Sequence, residues 1–159
     1  MKPSSLEDAR EFLRAKRIAV VGVSRREGDF SRMMLRELAK RGYDVVAVHP
    51  TLKEAEGHTC FARVQDVWPP PDAALLRTSP AITDLVVHDC AQAGVRQVWM
   101  HRGGGGAGAT SDAAVAFCES HGIHTVRDLC PFMALPDCSF AHRVHGFLRR
   151  RLAGRAGVH

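Results

Sequence analysis

Short, nearly continuous apolar runs, each followed by one segment of helical spacing, constrain what this chain can fold into. Residues 17–23 read R-I-A-V-V-G-V and residues 43–50 read Y-D-V-V-A-V-H-P. Strands apolar on both faces belong in a sheet covered on both sides, the habit of parallel sheets. Between these runs, Phe30, Met33, Met34, Leu38 and Ala39 fall on one helical face, and Gly42 stands where a helix C′ cap belongs. The alternation continues. Residues 72–79 and 95–101 read as strands, 80–94 as a helix opened by Pro80 and closed by Gly94, 111–122 as a helix, and 123–128 as a strand. A helix is expected over 4–17, with Ser4 and Glu7 as a capping box. Gly57 marks a turn before a short strand at 59–61, the triple proline at 69–71 is a rigid break, and a short basic helix closes the chain.

Strands joined by single helices imply right-handed crossovers. The expected fold is therefore α/β: one doubly wound, mostly parallel sheet with helices on both faces, in a single domain over residues 1–159. Length agrees, since 159 residues suit one domain with its own core. The acidic N-terminal stretch lacks an apolar leader segment and no apolar run is long enough to span a membrane, so a cytoplasmic protein is expected. Five cysteines, an odd number at irregular spacing, then read as reduced thiols.

In such sheets ligands bind beyond the C-terminal strand ends, at the topological switch point. The loop after the first strand, Gly22-Val23-Ser24-Arg25-Arg26 and on to Ser31, offers a glycine for close approach, hydroxyls, guanidinium groups and a helix N-terminus. Those are phosphate-binding features, although the spacing is not G-x-G-x-x-G. The second strand ends in His49-Pro50, with Lys53 close behind, and lacks the acid that would hold an NAD ribose. A cation there suits a ribose phosphate, as in NADP or a 3′-phosphorylated adenosine. Arg77-Thr78-Ser79 follows the third main strand, and Arg77 is expected to face the cleft or pair with Asp84. The net charge of +5 and the basic tail invite a nucleic-acid reading, but sparse aromatics and the lack of a long basic run argue against it.

The segments I-A-V-V-G-V-S-R, G-Y-D-V-V-A-V-H-P, E-G-H-T-C-F, V-R-Q-V-W-M-H-R-G and G-I-H-T-V-R-D-L-C-P together resemble the small stand-alone CoA-binding proteins. Their Rossmann-type domain also forms the N-terminal part of the succinyl-CoA synthetase α subunit. The resemblance covers about residues 17–147, leaving an N-terminal helix and a basic tail outside. It implies a coenzyme A or acyl-CoA ligand. The pyrophosphate would lie near Gly22, Ser24, Arg25 and Ser31, the 3′-phosphate near Lys53 or Arg26, and the adenine or pantetheine near 77–79. Where the family has Asn-Pro after its second strand, this chain has His49-Pro50; in the fourth loop it has Met100-His101-Arg102.

No catalytic residue is fixed by spacing. Cys130, with His49, His101 or Asp128, could in principle form a nucleophilic site or a mixed disulfide with CoA. Cys130, Cys138, His142 and His145 form only a loose zinc-like pattern. The expectation is a soluble, non-catalytic binding module for a small CoA ligand, with a regulatory role, a homodimer or a larger enzyme complex open. An NADP-linked oxidoreductase and a basic nucleic-acid or protein interaction domain are the alternatives.

Overall fold

The expected alternation of strands and helices is realised in a computed structural model, which describes residues 4–102 and 108–136. Helix α1 (Leu6–Phe12) leads into β1 (Arg17–Val21), α2 (Phe30–Lys40) and β2 (Asp44–Val48). A hairpin of β3 (Glu54–Ala55) and β4 (His58–Phe61) follows, then a short 3-10 turn. The remainder runs β5 (Ala73–Leu76), α3 (Pro80–Gln92), β6 (Gln97–Met100), α4 (Asp112–Ser120), β7 (His124–Arg127) and α5 (Pro131–Ala134).

The sheet order is β3-β4-β2-β1-β5-β6-β7. Every pairing is parallel except that of β3 with β4. This is a single Rossmann-like α/β unit with one antiparallel edge strand. Alternation along the strands divides the core into two layers. Ile18 and Val20 face Phe12, Met34, Leu35, Leu38 and Trp99. Ala19 and Val21 face Val87, Cys90, Val98, Met100, Val115 and Cys118. Both strand faces are dry, which is why β1 and β5 carry almost no polar residue.

Three local expectations are corrected. The capping box belongs to Ser5 and Asp8, not Ser4 and Glu7. Ser4 instead staples the chain to β7, its hydroxyl accepting from the Arg127 N–H at 3.0 Å. The first helix stops at Phe12, and the Leu13 carbonyl accepts the Tyr43 hydroxyl at 2.7 Å. The strand expected over 72–79 is only Ala73–Leu76: the Asp72 carboxylate accepts the Arg17 N–H at 3.0 Å, and Ser79 already serves as the N-cap of α3. The closing basic helix and the tail lie outside the described residues.

Candidate functional site

Strand β1 is where the sheet order reverses: the chain moves to one side through β2 and β4, and to the other through β5, β6 and β7. The connections leaving β1 and β5 therefore diverge to opposite faces and open a crevice at the C-terminal strand ends. Gly22 follows β1 directly, at this reversal. Its N–H donates to the Val48 carbonyl at 3.0 Å, and the Arg77 N–H donates to Val21 at 2.8 Å. With φ of +84°, Gly22 also lies so close to β5 that a Cβ would come within 2.9 Å of the Arg77 carbonyl oxygen. Three loops are thus joined at one glycine.

The first loop is braided by side chains. The Ser24 N–H donates to Ser31 Oγ at 2.9 Å, and that hydroxyl donates to Asp29 Oδ1 at 2.7 Å. Asp29 caps α2 through the Ser31 N–H at 2.8 Å. Ser24 Oγ accepts the Arg26 N–H at 3.1 Å, and the Ser24 carbonyl accepts Arg32 Nε at 2.7 Å. Ser31 is fully buried and Val23 nearly so. Ser31 therefore shapes the loop from behind. Burial pushes the Asp29 carboxyl up, but the Ser31 hydrogen bonds and the Arg77 and Arg26 cations outweigh it and hold the acid low. An anion already sits at the N-terminus of α2. Arg25 and Arg26 are exposed, and Arg25 donates to Thr51 Oγ1 in the second loop.

His49 has a local role. Its Nδ1 accepts the Thr51 and Leu52 N–H groups, each at 3.0 Å, doing for this turn what a short Asn side chain does in an Asx turn. Burial lowers its pKa, and Arg25 and Arg32 lower it further, so the ring stays neutral and accepting. Pro50 and Lys53 are exposed on the loop so formed. The Lys53 carbonyl is tied to the Cys60 N–H at 2.9 Å.

Arg77 does not pair with Asp84, whose carboxylate accepts the Ser111 hydroxyl instead. The guanidinium lies 3.1 Å from His101 Nδ1, 3.9 Å from Asp29 Oδ2 and 5.1 Å from the centroid of the Phe30 ring. His101 stacks on Phe30 at 4.3 Å and is only 3% exposed. Burial, then Arg77, pushes its pKa down to about 3. A neutral ring accepting at Nδ1 carries its proton on Nε2. Arg77 is apparent from the sequence, whereas Asp29, Phe30 and His101 become its surroundings only in the fold. The signal was a lone aromatic at the start of α2 and a histidine ending a buried strand. Thr78 Oγ1 lies 2.6 Å from Thr83 Oγ1, and Ser79 is the N-cap residue of α3 without a side-chain cap bond.

Among the described residues, burial raises the pKa of each cysteine thiol. Cys130 is half-buried at the start of α5, and burial pushes its thiol up despite the Phe132 and Met133 N–H groups. Among the described residues no group of three or more His, Cys, Asp or Glu could hold a metal. Cys138, His142, His145, residues 103–107 and the basic tail lie outside the described residues. Among the described residues no helix is long and apolar enough to cross a membrane. A groove of about 480 Å³ lies elsewhere, lined by Arg10, Leu13, Tyr43 and Met133.

Residues 16–136 match the model of a CoA-binding domain. An uncharacterised Bacillus subtilis protein, YneT, is 27% identical over 129 residues, covering 80% of this chain and 91% of its own. A hypothetical protein from Pyrococcus horikoshii is 25% identical with a TM-score of 0.75, over 84% of this chain and 94% of its own. The dinucleotide-forming acetyl-coenzyme A synthetase 1 of Ca. Korarchaeum cryptofilum is 28% identical with a TM-score of 0.60; the match takes in 69% of this chain and 25% of that one.

Proposed function

The chain belongs to the CoA-binding domain family, and from that premise we propose that it binds coenzyme A or an acyl-CoA in the crevice beside Gly22. The observation that carries the reading is the junction at Gly22. It brings Arg25 and Arg26 of the first loop, Lys53 of the second and Arg77 of the third to one end of the sheet. CoA is a polyanion with two separated phosphate centres, a pyrophosphate and a ribose 3′-phosphate. The pyrophosphate is assigned to the backbone of Gly22, Val23 and Ser24 with Arg25 and Arg26, with Ser31 bracing them from behind. Lys53 or Arg26 takes the 3′-phosphate beside His49-Pro50. The segment Arg77, Thr78, Ser79 lines the adenine or pantetheine channel.

The module is read as non-catalytic. The buried His101 is held neutral and Cys130 is held as a thiol, so neither is poised as a nucleophile or a base near neutral pH. Binding without chemistry suits a regulatory role, or service within a larger enzyme assembly or a homodimer, in the reduced setting of the cytoplasm. The lack of an acid at the end of β2 also fits NADP, so the test must include it. Isothermal titration with CoA, dephospho-CoA, NAD and NADP separates the readings. CoA should bind most tightly, with affinity falling as salt rises; NADP binding without CoA binding would overturn the proposal.

A further inference from the structure

Glu56 stands in a backbone conformation that suits other residues better. It forms with Gly57 the two-residue connection of the β3–β4 hairpin, between Ala55 and its partner His58, with φ of +52° and +77°. Two-residue hairpin connections with positive φ at both positions favour Asn, Asp or Gly at the first. A glutamate there carries strain that its side chain must offset. The side chain does have a task. Glu56 Oε1 lies 3.2 Å from Arg32 Nη1 and Oε2 lies 3.0 Å from Arg36 Nη1. Arg32 is itself buried on α2, with a side chain only 9% exposed, and its Nε donates to the Ser24 carbonyl at 2.7 Å. One guanidinium therefore joins the tip of an edge hairpin to the first loop.

The hairpin is also the continuation of the second loop. Thr51, Leu52 and Lys53 lead directly into β3, and the Lys53 carbonyl is bonded to Cys60 of β4. The first loop meets the same segment again through Arg25 and Thr51. The two loops assigned to the two phosphate centres of the ligand are thus held together by the Arg32–Glu56 link as well as by β1 and β2.

We infer that the Arg32–Glu56 pair is a positioning device that fixes the spacing between the first and second loops and thereby sets selectivity for a nucleotide carrying both a pyrophosphate and a ribose phosphate. The inference rests on the CoA-binding reading. Neither side chain touches the ligand in this account. When the loops are held at the right separation, engaging one phosphate presents the other at high effective concentration. With the link cut, the loops are held only by β1 and β2 and by the Arg25–Thr51 contact, and part of the advantage of having both phosphates is lost.

The test uses Glu56→Asn, because Asn suits the positive φ and removes the carboxylate. Relief at the positive φ offsets only part of the cost of leaving the buried Arg32 without its carboxylate, so thermal stability should fall below that of the parent while the fold is retained. In the parent, CoA should bind roughly tenfold or more tightly than dephospho-CoA, the difference expected of one charge-assisted phosphate contact. In Glu56→Asn the ratio should fall by about threefold or more, because the effective concentration of the second phosphate drops. Hydrogen exchange at amides 24–28 and 51–55 should also quicken in the ligand-free variant. An unchanged CoA to dephospho-CoA ratio, or unchanged exchange in these loops, would overturn the inference. A parent that binds no CoA would instead sink the reading it rests on, while the exchange measurement would still report on the link.

Discussion

Replacing Gly22 with alanine tests the junction at the end of β1. Two costs are expected, and the structure separates them. The residue has φ of +84°, and an L side chain in that region costs on the order of 1 kcal/mol relative to glycine. The added Cβ would also lie 2.9 Å from the Arg77 carbonyl oxygen, 3.0 Å from its carbon and 3.2 Å from Thr78 Cγ2. The first two are backbone atoms of the β5 end, held by the Arg77 N–H bond to Val21. They cannot swing aside, so the strand ends must part, at a further cost of about 1–3 kcal/mol. Gly42→Ala is the control. It has φ of +89° but nothing within 4 Å of the added atom, so it carries the conformational cost alone. Urea denaturation should place Gly22→Ala about 2–4 kcal/mol below the parent and Gly42→Ala only about 1 kcal/mol below. Gly22→Ala should also lose CoA affinity, because the separation moves Arg77. Equal destabilisation by the two substitutions would refute the close packing of β1 against the third loop.

Further predictions follow from the same geometry. His101 has a folded pKa pushed from 6.5 down to about 3, so its neutral form favours folding above pH 6.5 and that stability is lost as pH falls toward 3. Between pH 6.5 and 5 the loss should be about 2 kcal/mol, and His101→Gln should flatten it in denaturation curves at the two pH values. Ser31→Ala leaves the Ser24 N–H without its acceptor and removes a donor to Asp29; it should cost about 1–3 kcal/mol and speed exchange at the Ser24 amide. Cys130, its thiol raised by burial, should react with iodoacetamide more slowly at pH 7.5 than free cysteine, as peptide mapping would record; faster reaction would restore it as a candidate nucleophile.

The sheet was legible because β1, β2 and β5 are buried on both faces, and that burial is written into continuous apolar runs. The hairpin strand β3 was not legible: two residues, Glu54 and Ala55, carry no period, and the Glu56-Gly57 turn uses a residue atypical for it. The capping box was misplaced by one residue because Ser4 and Ser5 each have an acid three positions on, and only the tie of Ser4 to β7 decides between them. Position in the chain sufficed to place Gly22, Ser24 and Arg25 in the loop after β1. Contacts were not legible where a side chain finds its partner across the fold. Ser31 turns inward to brace Ser24, and Arg77 meets a histidine from β6's end rather than Asp84, a contact made by strand order alone.

The most direct measurement of the central claim is amide hydrogen exchange across the whole chain, with and without saturating CoA. The account predicts protection concentrated at residues 22–28, 49–53 and 77–82, with little change at Arg10, Leu13, Tyr43 and Met133 around the separate groove. Protection centred on that groove, with the three loops unchanged, would contradict it.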